Sequence, residues 1–461
     1  MTDLLAARSQ MAMSLGFHII FASVGVALPL MMAIAEALWL KTKDETYRTL
    51  AQHWAKGTAI LFAVGAVSGT VLSFELGLLW PRFMDFAGAI IGLPFALEAF
   101  AFFVEAIFLG IYLYGWERVP PAWHLFAGLM VSLAGAASAI FVVSVNGWMN
   151  TPTGFRLAGG KAVDIDPIAA MFNPAWVPEA IHMTLAAYAA TAFAVAGVHA
   201  FLLQRARDNL FHRHALVIAL AVGATAAILL PVSGDLNARR LAREQPRKLA
   251  ALEGQFKTEK GAPLRIGGLP NETTQDTDYA LEIPYGLSIL AFHDPQAEVK
   301  GLEEWPKADR PPVAVVHIAF QIMVACGLAM AAVSVAALIL AWRNRRRLGR
   351  WSLPDQRWFL RTLVLAAPLG FIAIEAGWTV TEVGRQPFII SGIMRTTEAV
   401  TPVPYLTIPL VTFTFVYLFL AFVVVFLLLR QFSQSPRIVR DRTAINIGAT
   451  EHPRSGNAGR S

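Results

Sequence analysis

The sequence has a single cysteine and few charged residues. Cys326 is the only cysteine in 461 residues, which excludes an intrachain disulfide and a Cys-x-x-Cys-His attachment motif. Only 15% of the residues are charged, whereas about a quarter are charged in a typical soluble protein. The mean hydropathy is +0.52. These values indicate that much of the protein surface meets lipid rather than water.

Long apolar runs recur along the chain. A run of about 20 residues crosses a hydrocarbon core of about 30 Å as an α-helix. The sequence predicts an all-α, polytopic bundle of about nine transmembrane helices. Their expected ranges are 15–40, 57–80, 92–115, 123–145, 180–203, 214–233, 313–341, 360–381 and 405–430. No small-residue cleavage site follows the first run, so we expect that run to be retained.

Basic residues predict the orientation of the bundle. They are concentrated in the loops that follow odd-numbered runs and in the C-terminal tail, and the densest group follows the seventh run. That group contains Arg343, Arg345, Arg346, Arg347 and Arg350. Since basic loops stay on the inner side, we expect the N-terminus outside and the C-terminus inside. The net charge of +6 then needs no nucleic-acid partner, because basic residues beside a bilayer contact anionic lipid.

The apolar pattern predicts four regions. Residues 1–233 contain helices one to six and residues 313–432 contain helices seven to nine. Residues 234–312 form a long polar loop on the outer side, in which 245–256 reads as a short helix. A loop of that length is uncommon unless it is functional, so we interpret it as a substrate or partner element. The polar residues 433–461 are predicted to be a disordered inner tail.

Several ionisable side chains fall inside the apolar runs, where they are costly and usually mark functional sites. In the predicted orientation, five potential metal ligands share one level under the outer loop. They are His18, Glu98, His182, Met323 and Glu382. A lone histidine or methionine in a helix is more often a core residue than a ligand. The spacing alone therefore predicts only a redox-active or proton-coupled membrane protein.

Seven stretches, in order, resemble a known family. They are SLGFHIIF around His18, LPFALEAFAFFVEAIF at 93–108, NGWMNTP at 146–152, IHMTLAAY around His182, QPRKLAALE at 245–253, IMVACG at 322–327 and GWTVTEVGRQPF at 377–388. Together they are similar to the large, haem-bearing subunit of cytochrome bd-type quinol oxidases. The resemblance runs from the first helix to the last.

This resemblance implies a set of haem ligands. His182 and Met323 would be the axial ligands of a low-spin haem b, a pair suited to electron transfer. His18 and Glu382 would each ligate one of two high-spin haems, one haem b and the other haem d or a further haem b. Three residues would support these haems: Glu98 beside the His18 haem, Arg385 at the propionates, and Trp378 between haems.

The resemblance also implies the substrates and partners. Lys248 and Glu253 match the quinol-site pair of the outer loop, with Asp235 a weaker candidate, although a pair five residues apart is ordinarily a solvated surface pair. Quinol would be oxidised at the outer face and oxygen reduced to water, which generates a proton motive force without pumping. A second, haem-free membrane subunit and a small one-helix subunit are the implied partners, in a bacterial inner membrane.

A proton path from the inner side is also expected. Glu98 and Glu105 lie seven residues apart, on one face of a helix. Together with Ser138 and Asn146 they would form the late part of the path.

Two residues depart from the family pattern. Phe388 stands where the family signature commonly has tryptophan, so the indole donor is lost. Gln321 stands where some members have arginine, so a positive charge near the low-spin haem is missing, which lowers its expected potential.

Two other functions remain open from the sequence. A proton-coupled transporter would use the intramembrane carboxylates to bind cations and would show no haem absorbance. A haem b protein that transfers electrons without reducing oxygen would show no response to carbon monoxide. The first has no use for His182 with Met323, and the second gives His18 and Glu382 no role.

Overall fold

The computed structural model describes residues 2–348 and 356–438, and within these ranges the chain is mostly helical. The helices are α1 (Asp3–Thr42), α2 (Glu45–Leu79), α3 (Pro81–Tyr114), α4 (Pro121–Asn150), α5 (Pro167–Met171), α6 (Trp176–Arg205), α7 (Leu210–Glu244), α8 (Pro246–Glu253), α9 (Gly286–Phe292), α10 (Val313–Leu348), α11 (Arg357–Ala366), α12 (Leu369–Val383), α13 (Thr396–Ala399) and α14 (Thr407–Ser433). Their starts follow local chemistry: the Asp44 side chain accepts from the Thr46 amide at 2.9 Å at the start of α2, and proline opens α3 and α4.

Nine helical spans in the described residues are long and apolar enough to cross a membrane. They are α1 to α4, α6, α7, α10, the α11–α12 pair and α14. The predicted all-α bundle of nine spans is therefore confirmed. Neighbours in sequence pack side by side, and α1 contacts α2, α4, α6 and α14 near the middle of the bundle.

The helices extend further than the hydropathy pattern predicts. The sixth span was expected at 214–233, but α7 continues to Glu244. The last turns of α7 are charged, and Arg239 pairs with Asp235 while Arg240 pairs with Glu244 at 3.0 Å. Pairs four residues apart stabilise a helix after its apolar stretch has ended. The first residues of the range 234–312 are therefore helix rather than loop.

The eighth span is interrupted. α11 ends at Ala366 and α12 begins at Leu369, with Pro368 between them, because proline donates no backbone hydrogen bond and clashes with the preceding turn. The break lies against α6 at very close range. A Cβ added at Gly370 would lie 2.2 Å from the Cα of Ala190, so only glycine permits this approach of the two backbones.

The polar segment after α7, residues 245–312, is the outer segment, so named for the side of the membrane that the sequence predicts for it. It is folded rather than structureless. The short helix expected at 245–256 is present as α8. The strands in the described residues are β1 (Arg156–Ala158), β2 (Lys161–Val163), β3 (Glu259–Lys260), β4 (Leu264–Ile266), β5 (Leu269–Asn271), β6 (Asp276–Asp278), β7 (Leu281–Ile283), β8 (Glu298–Val299), β9 (Phe388–Ile390) and β10 (Met394–Arg395). Three antiparallel two-stranded ladders follow α8, namely β3–β8, β4–β7 and β5–β6. Two short 3₁₀ turns, Leu302–Glu304 and Lys307–Asp309, lead into α10.

The start of the predicted inner tail packs on the bundle. The Leu210 amide donates to the Ile438 carbonyl at 2.8 Å, and Asn209 donates to the Pro436 carbonyl at 3.0 Å. The remainder of the predicted disordered tail, 439–461, lies outside the described residues, as does Arg350 of the basic group after helix seven.

Candidate functional site

Two of the predicted ligands are histidines that are each oriented by a serine. The Nδ1 of His18 on α1 lies 2.9 Å from the Ser68 hydroxyl on α2. The Nδ1 of His182 on α6 lies 2.8 Å from the Ser233 hydroxyl on α7. A hydrogen bond to one ring nitrogen orients a histidine so that the other nitrogen can bind a metal. Both imidazole rings are therefore held in place by a serine hydroxyl of the neighbouring helix.

Glycines adjoin the predicted ligands. A Cβ at Gly69 would lie 3.0 Å from the Cε1 of His18, and a Cβ at Gly377 would lie 3.0 Å from the Sδ of Met323. Met323 packs in a cluster with Ala376 and Val380 of α12. The absence of a side chain at these glycines therefore leaves room for both ligands.

Glu382 and Arg385 form an ion pair near the end of α12. Arg385 donates from Nη2 to the Oε2 of Glu382 at 2.6 Å, and Asn146 on α4 donates to Oε1. Arg385 is only 3% exposed, and its Nε and Nη1 have no partner within the described protein, nor does the Nε1 of Trp378. Unpaired buried donors are costly. These donors suit a group that carries acceptor oxygens, as haem propionates do.

A chain of hydrogen bonds joins α8, at the start of the outer segment, to the ion pair of Glu382 and Arg385. Lys248 on α8 donates to the Oδ1 of Asn150 at 2.5 Å. Asn150 donates to the Oδ1 of Asn146 at 3.1 Å, and Asn146 donates to Glu382. Asn150 was missed as a site residue from the sequence, although its spacing of four from Asn146 places both amides on one helix face.

Lys248 and Glu253 are buried, so they are not a solvated surface pair. Lys248 is 5% exposed and Glu253 is 1% exposed. They lie on different faces of α8, because five residues turn a helix by about 140°. Burial lowers the pKa of Lys248 to about 7, an effect that nearby Glu179 opposes. Burial raises the pKa of Glu253 to about 8, and Arg265 offsets part of that rise.

A cavity of about 170 Å³ opens beside Lys248. Its lining combines donors with one large aromatic ring. Among its residues are Gln245, Arg247, Lys248, Trp305 and Arg385. The cavity therefore places hydrogen-bond donors beside an aromatic ring.

The residues of the predicted proton path form two separate groups in the structure. Ser138 on α4 donates to Glu98 on α3 at 3.4 Å. Glu105 is buried between α1 and α4, where a Cβ at Gly135 would lie 3.3 Å from its carboxyl group. Asn146, by contrast, contacts Glu382 and Asn150.

Two further carboxylates to be placed are those of Asp235 and Glu375. Asp235 is engaged by Arg239 on its own helix. Glu375 lies on the same face of α12 as Glu382, about two turns earlier, and its Oε2 would be 3.1 Å from a Cβ at Gly16. Its Oε1 is buried without a partner in the described protein. Glu375 therefore adjoins the turn of α1 that carries His18.

The described residues offer single ligands rather than a metal cluster. Across 2–348 and 356–438, no group of three or more His, Cys, Asp and Glu side chains is arranged to hold a free metal ion. Haem iron needs only one or two axial side chains from the protein.

Comparison with known proteins decides the family. The model of the cytochrome bd terminal oxidase subunit I family matches residues 6–436. The chain belongs to this family. It is 39% identical over 440 residues to a putative cytochrome bd menaquinol oxidase subunit I of Bacillus subtilis, covering 95% of this chain and 98% of that one. It is 34% identical over 446 residues to the cytochrome bd ubiquinol oxidase subunit 1 of the same organism, covering 94% of each.

A solved structure agrees with these relatives. The structure of bd oxidase from Geobacillus thermodenitrificans superposes with a TM-score of 0.88 and 41% identity, covering 94% of this chain and 99% of that chain. This subunit I is therefore a multi-pass membrane protein and part of a terminal quinol oxidase. Membership of the cytochrome bd family implies haem cofactors, a quinol substrate and further subunits.

The two departures from the family pattern have defined contacts. The ring of Phe388 lies between two guanidinium groups, 4.8 Å from that of Arg247 and 5.1 Å from that of Arg395. An aromatic ring suffices for such cation–π contacts. Gln321 contacts the outer segment through its amide, at Arg265 and Gly267.

Proposed function

We propose that this subunit I oxidises membrane quinol beside α8 and holds the haems at which oxygen is reduced to water. The observation that carries the proposal is the hydrogen-bond chain from Lys248 through Asn150 and Asn146 to Glu382. It connects the candidate quinol residue to the candidate haem residue through protein groups alone. The family membership supplies the reaction class.

Lys248 and Glu253 would take two different roles in quinol oxidation, the binding of quinol and the acceptance of its proton. The Lys248 ammonium binds a quinol oxygen, and the Glu253 carboxylate accepts a quinol proton. Burial supports these roles because a desolvated base has a pKa close to working pH. Asp235, already paired with Arg239, is the weaker member of the site.

The haem assignments follow the resemblance to the family. His182 and Met323 would hold a low-spin haem b, and His18 and Glu382 would hold a high-spin pair made of haem b and either haem d or a further haem b. Glu98 and Trp378 would support these sites. Arg385 would donate from Nε and Nη1 to propionate oxygens. The haems, when bound, would supply electron transfer and oxygen reduction.

Protons for water would come from the inner side. With the N-terminus outside, as the basic loops predict, Glu105 would lie nearer the inner face of the membrane than Glu98, on the same face of α3. The Ser138 hydroxyl donates to the carboxylate of Glu98, the later of the two carboxylates on the path, at 3.4 Å. Asn146, placed against Glu382, would serve the end of the path. Proton release outside and uptake inside generate a membrane voltage without a pump.

The proposed setting is a bacterial inner membrane, in a complex with a haem-free subunit II and a small one-helix subunit. A proton-coupled transporter or an electron-transfer haem b protein would be the alternative, but the terminal oxidase family disfavours both.

Difference spectra of the purified complex test the haem assignments. We expect dithionite reduction to reveal a low-spin haem b and a separate band that shifts with carbon monoxide. Met323→Leu should remove the low-spin band, and His18→Ala should remove the carbon monoxide response. His199→Gln is the control, because His199 is buried on α6 but bonds to His212 at 2.9 Å. Haem b without any carbon monoxide response would refute oxygen reduction at this site.

Glu105→Gln tests the proton path separately. A neutral amide of the same shape cannot carry a proton, so turnover should fall by about a hundredfold while the difference spectrum stays unchanged. Turnover equal to that of the unmodified complex would remove Glu105 from the path.

A further inference from the structure

Two side chains near the outer end of α10 contact the outer segment, and the catalytic proposal gives them no role. His317 is fully buried. Its Nδ1 lies 2.7 Å from the Leu252 carbonyl, and its Nε2 lies 2.9 Å from the Gly267 carbonyl. Both partners are backbone carbonyl oxygens, which accept hydrogen bonds. One side chain therefore joins the end of α8 to the turn between β4 and β5.

Gln321 lies one helical turn further along α10 and bonds to the same turn. Its Nε2 donates to the Arg265 carbonyl at 3.0 Å, and its Oε1 accepts from the Gly267 amide at 3.1 Å. The side chain thus closes on the backbone with one donor and one acceptor. An arginine at this position has no acceptor and could not make both bonds.

The backbone at the turn is shaped for these contacts. Gly267 has a φ of +68°, a left-handed conformation that is costly for residues with a Cβ. Its amide is bound by Gln321 and its carbonyl by His317. Both backbone polar groups of one residue are therefore committed to α10.

We propose that His317 and Gln321 form a latch that holds the outer segment on α10 and so positions Glu253 and Arg265 for quinol oxidation. This inference rests on the quinol role proposed for Glu253. Leu252, whose carbonyl His317 binds, directly precedes Glu253. Arg265, whose carbonyl Gln321 binds, directs its guanidinium to Gln255 and to Glu282 at 3.0 Å.

The latch also links the quinol segment to the helix of the low-spin haem ligand. Met323 lies two residues after Gln321 on α10. The contacts of α10 with α8 include the cluster of Ala250, Ala251 and Leu252 against Val313 and Val316. The hydrogen bonds of the latch add direction to this apolar contact, because they fix the segment at three backbone positions, Leu252, Arg265 and Gly267.

The latch is tested in the full complex, reconstituted in lipid, with Gln321→Met and His317→Gln. Methionine retains the volume of Gln321 and loses both bonds. Asn271→Ala is the matched control, since Asn271 bonds within the β5–β6 hairpin, to Asp278 at 3.0 Å. Amide hydrogen exchange over 246–270 reports the latch directly. Oxygen consumption with a short-chain quinol gives KM and kcat, and a phenylenediamine dye serves as an electron donor of different chemistry.

We expect exchange at Gly267 to rise about tenfold in each latch variant, since one hydrogen bond is worth roughly that factor. The kcat/KM for quinol should fall several-fold, because the proton acceptor Glu253 is displaced, while dye oxidation stays within about twofold of that of the unmodified complex. Unchanged exchange would overturn the latch. Faster exchange with an unchanged kcat/KM for quinol would overturn its positioning role.

The proposed function fails in a different experiment. Lys248→Met and Glu253→Gln with ordinary quinol kinetics would refute the quinol site, whereas the exchange result on the latch variants would stand independently. Reduced-minus-oxidised spectra confirm that each variant has assembled. If Gln321→Met does not assemble, His317→Gln decides the outcome alone, because glutamine has one donor nitrogen and replaces only one of the two ring nitrogens of His317.

Discussion

Glu253→Gln should change the pH dependence of quinol oxidation in a defined way. In the proposed reaction Glu253 must be ionised and Lys248 must be protonated. Their pKa values are about 8 and about 7. The fraction of the enzyme with both groups in the active form is then greatest midway, at about pH 7.5. It falls about sixfold by pH 6 and about tenfold for each further unit.

Glutamine has the size of Glu253 but accepts no proton. We therefore expect kcat/KM for quinol to fall by about a hundredfold or more and the acid side of the profile to become flat. The falling limb above about pH 7.5 should remain, because it belongs to Lys248. Oxygen consumption by the complex across this pH range, at constant ionic strength, measures both effects.

Glu298→Gln supplies the control, since Glu298 lies exposed in β8 of the same segment. It should leave both limbs of the profile in place. The reasoning is refuted if Glu253→Gln retains the rising limb, because some other group would then accept the proton.

Two further substitutions probe the structure around the site. Asn150→Ala removes the acceptor that lies 2.5 Å from Lys248; because a hydrogen bond to a charged group is worth about 1.5–3 kcal/mol, the quinol KM should rise at least tenfold, as measured by steady-state oxygen consumption. Gly377→Ala places a Cβ 3.0 Å from the Sδ of Met323, so the low-spin band in the difference spectrum should shift or disappear. The comparison for the second is Gly110→Ala, where the added Cβ meets no atom within 4 Å. An unchanged KM or an unchanged low-spin band would contradict the respective contact.

The fold was largely predictable because hydropathy determines which segments lie in lipid. Helix ends were not, because the charged last turn of α7 is stabilised by pairs such as Arg240–Glu244, which a hydropathy pattern does not register. Proline was an ambiguous signal. Pro29 and Pro231 lie inside continuous helices, whereas Pro368 separates α11 from α12.

The site was predictable in its residues and not in its connections. Resemblance to the family identified Lys248 and Glu382 as candidates, but their link runs through Asn150 and Asn146 on a third helix. Such a link depends on how α4, α8 and α12 pack, which no local pattern contains. For the same reason Gln321 reads in sequence as a missing charge, although its amide makes two hydrogen bonds to the outer segment.

The chain from Lys248 to Glu382 has a thermodynamic consequence. Coupling between two binding sites is reciprocal: if a ligand at one end changes affinity at the other, the reverse change has the same factor. In the proposed function, a quinol analogue bound beside Lys248 and a small ligand bound beside Glu382 would therefore shift each other's Kd by the same factor, without sharing any space. The affinity of an inhibitor at one end of this chain would then depend on whether an inhibitor is bound at the other end.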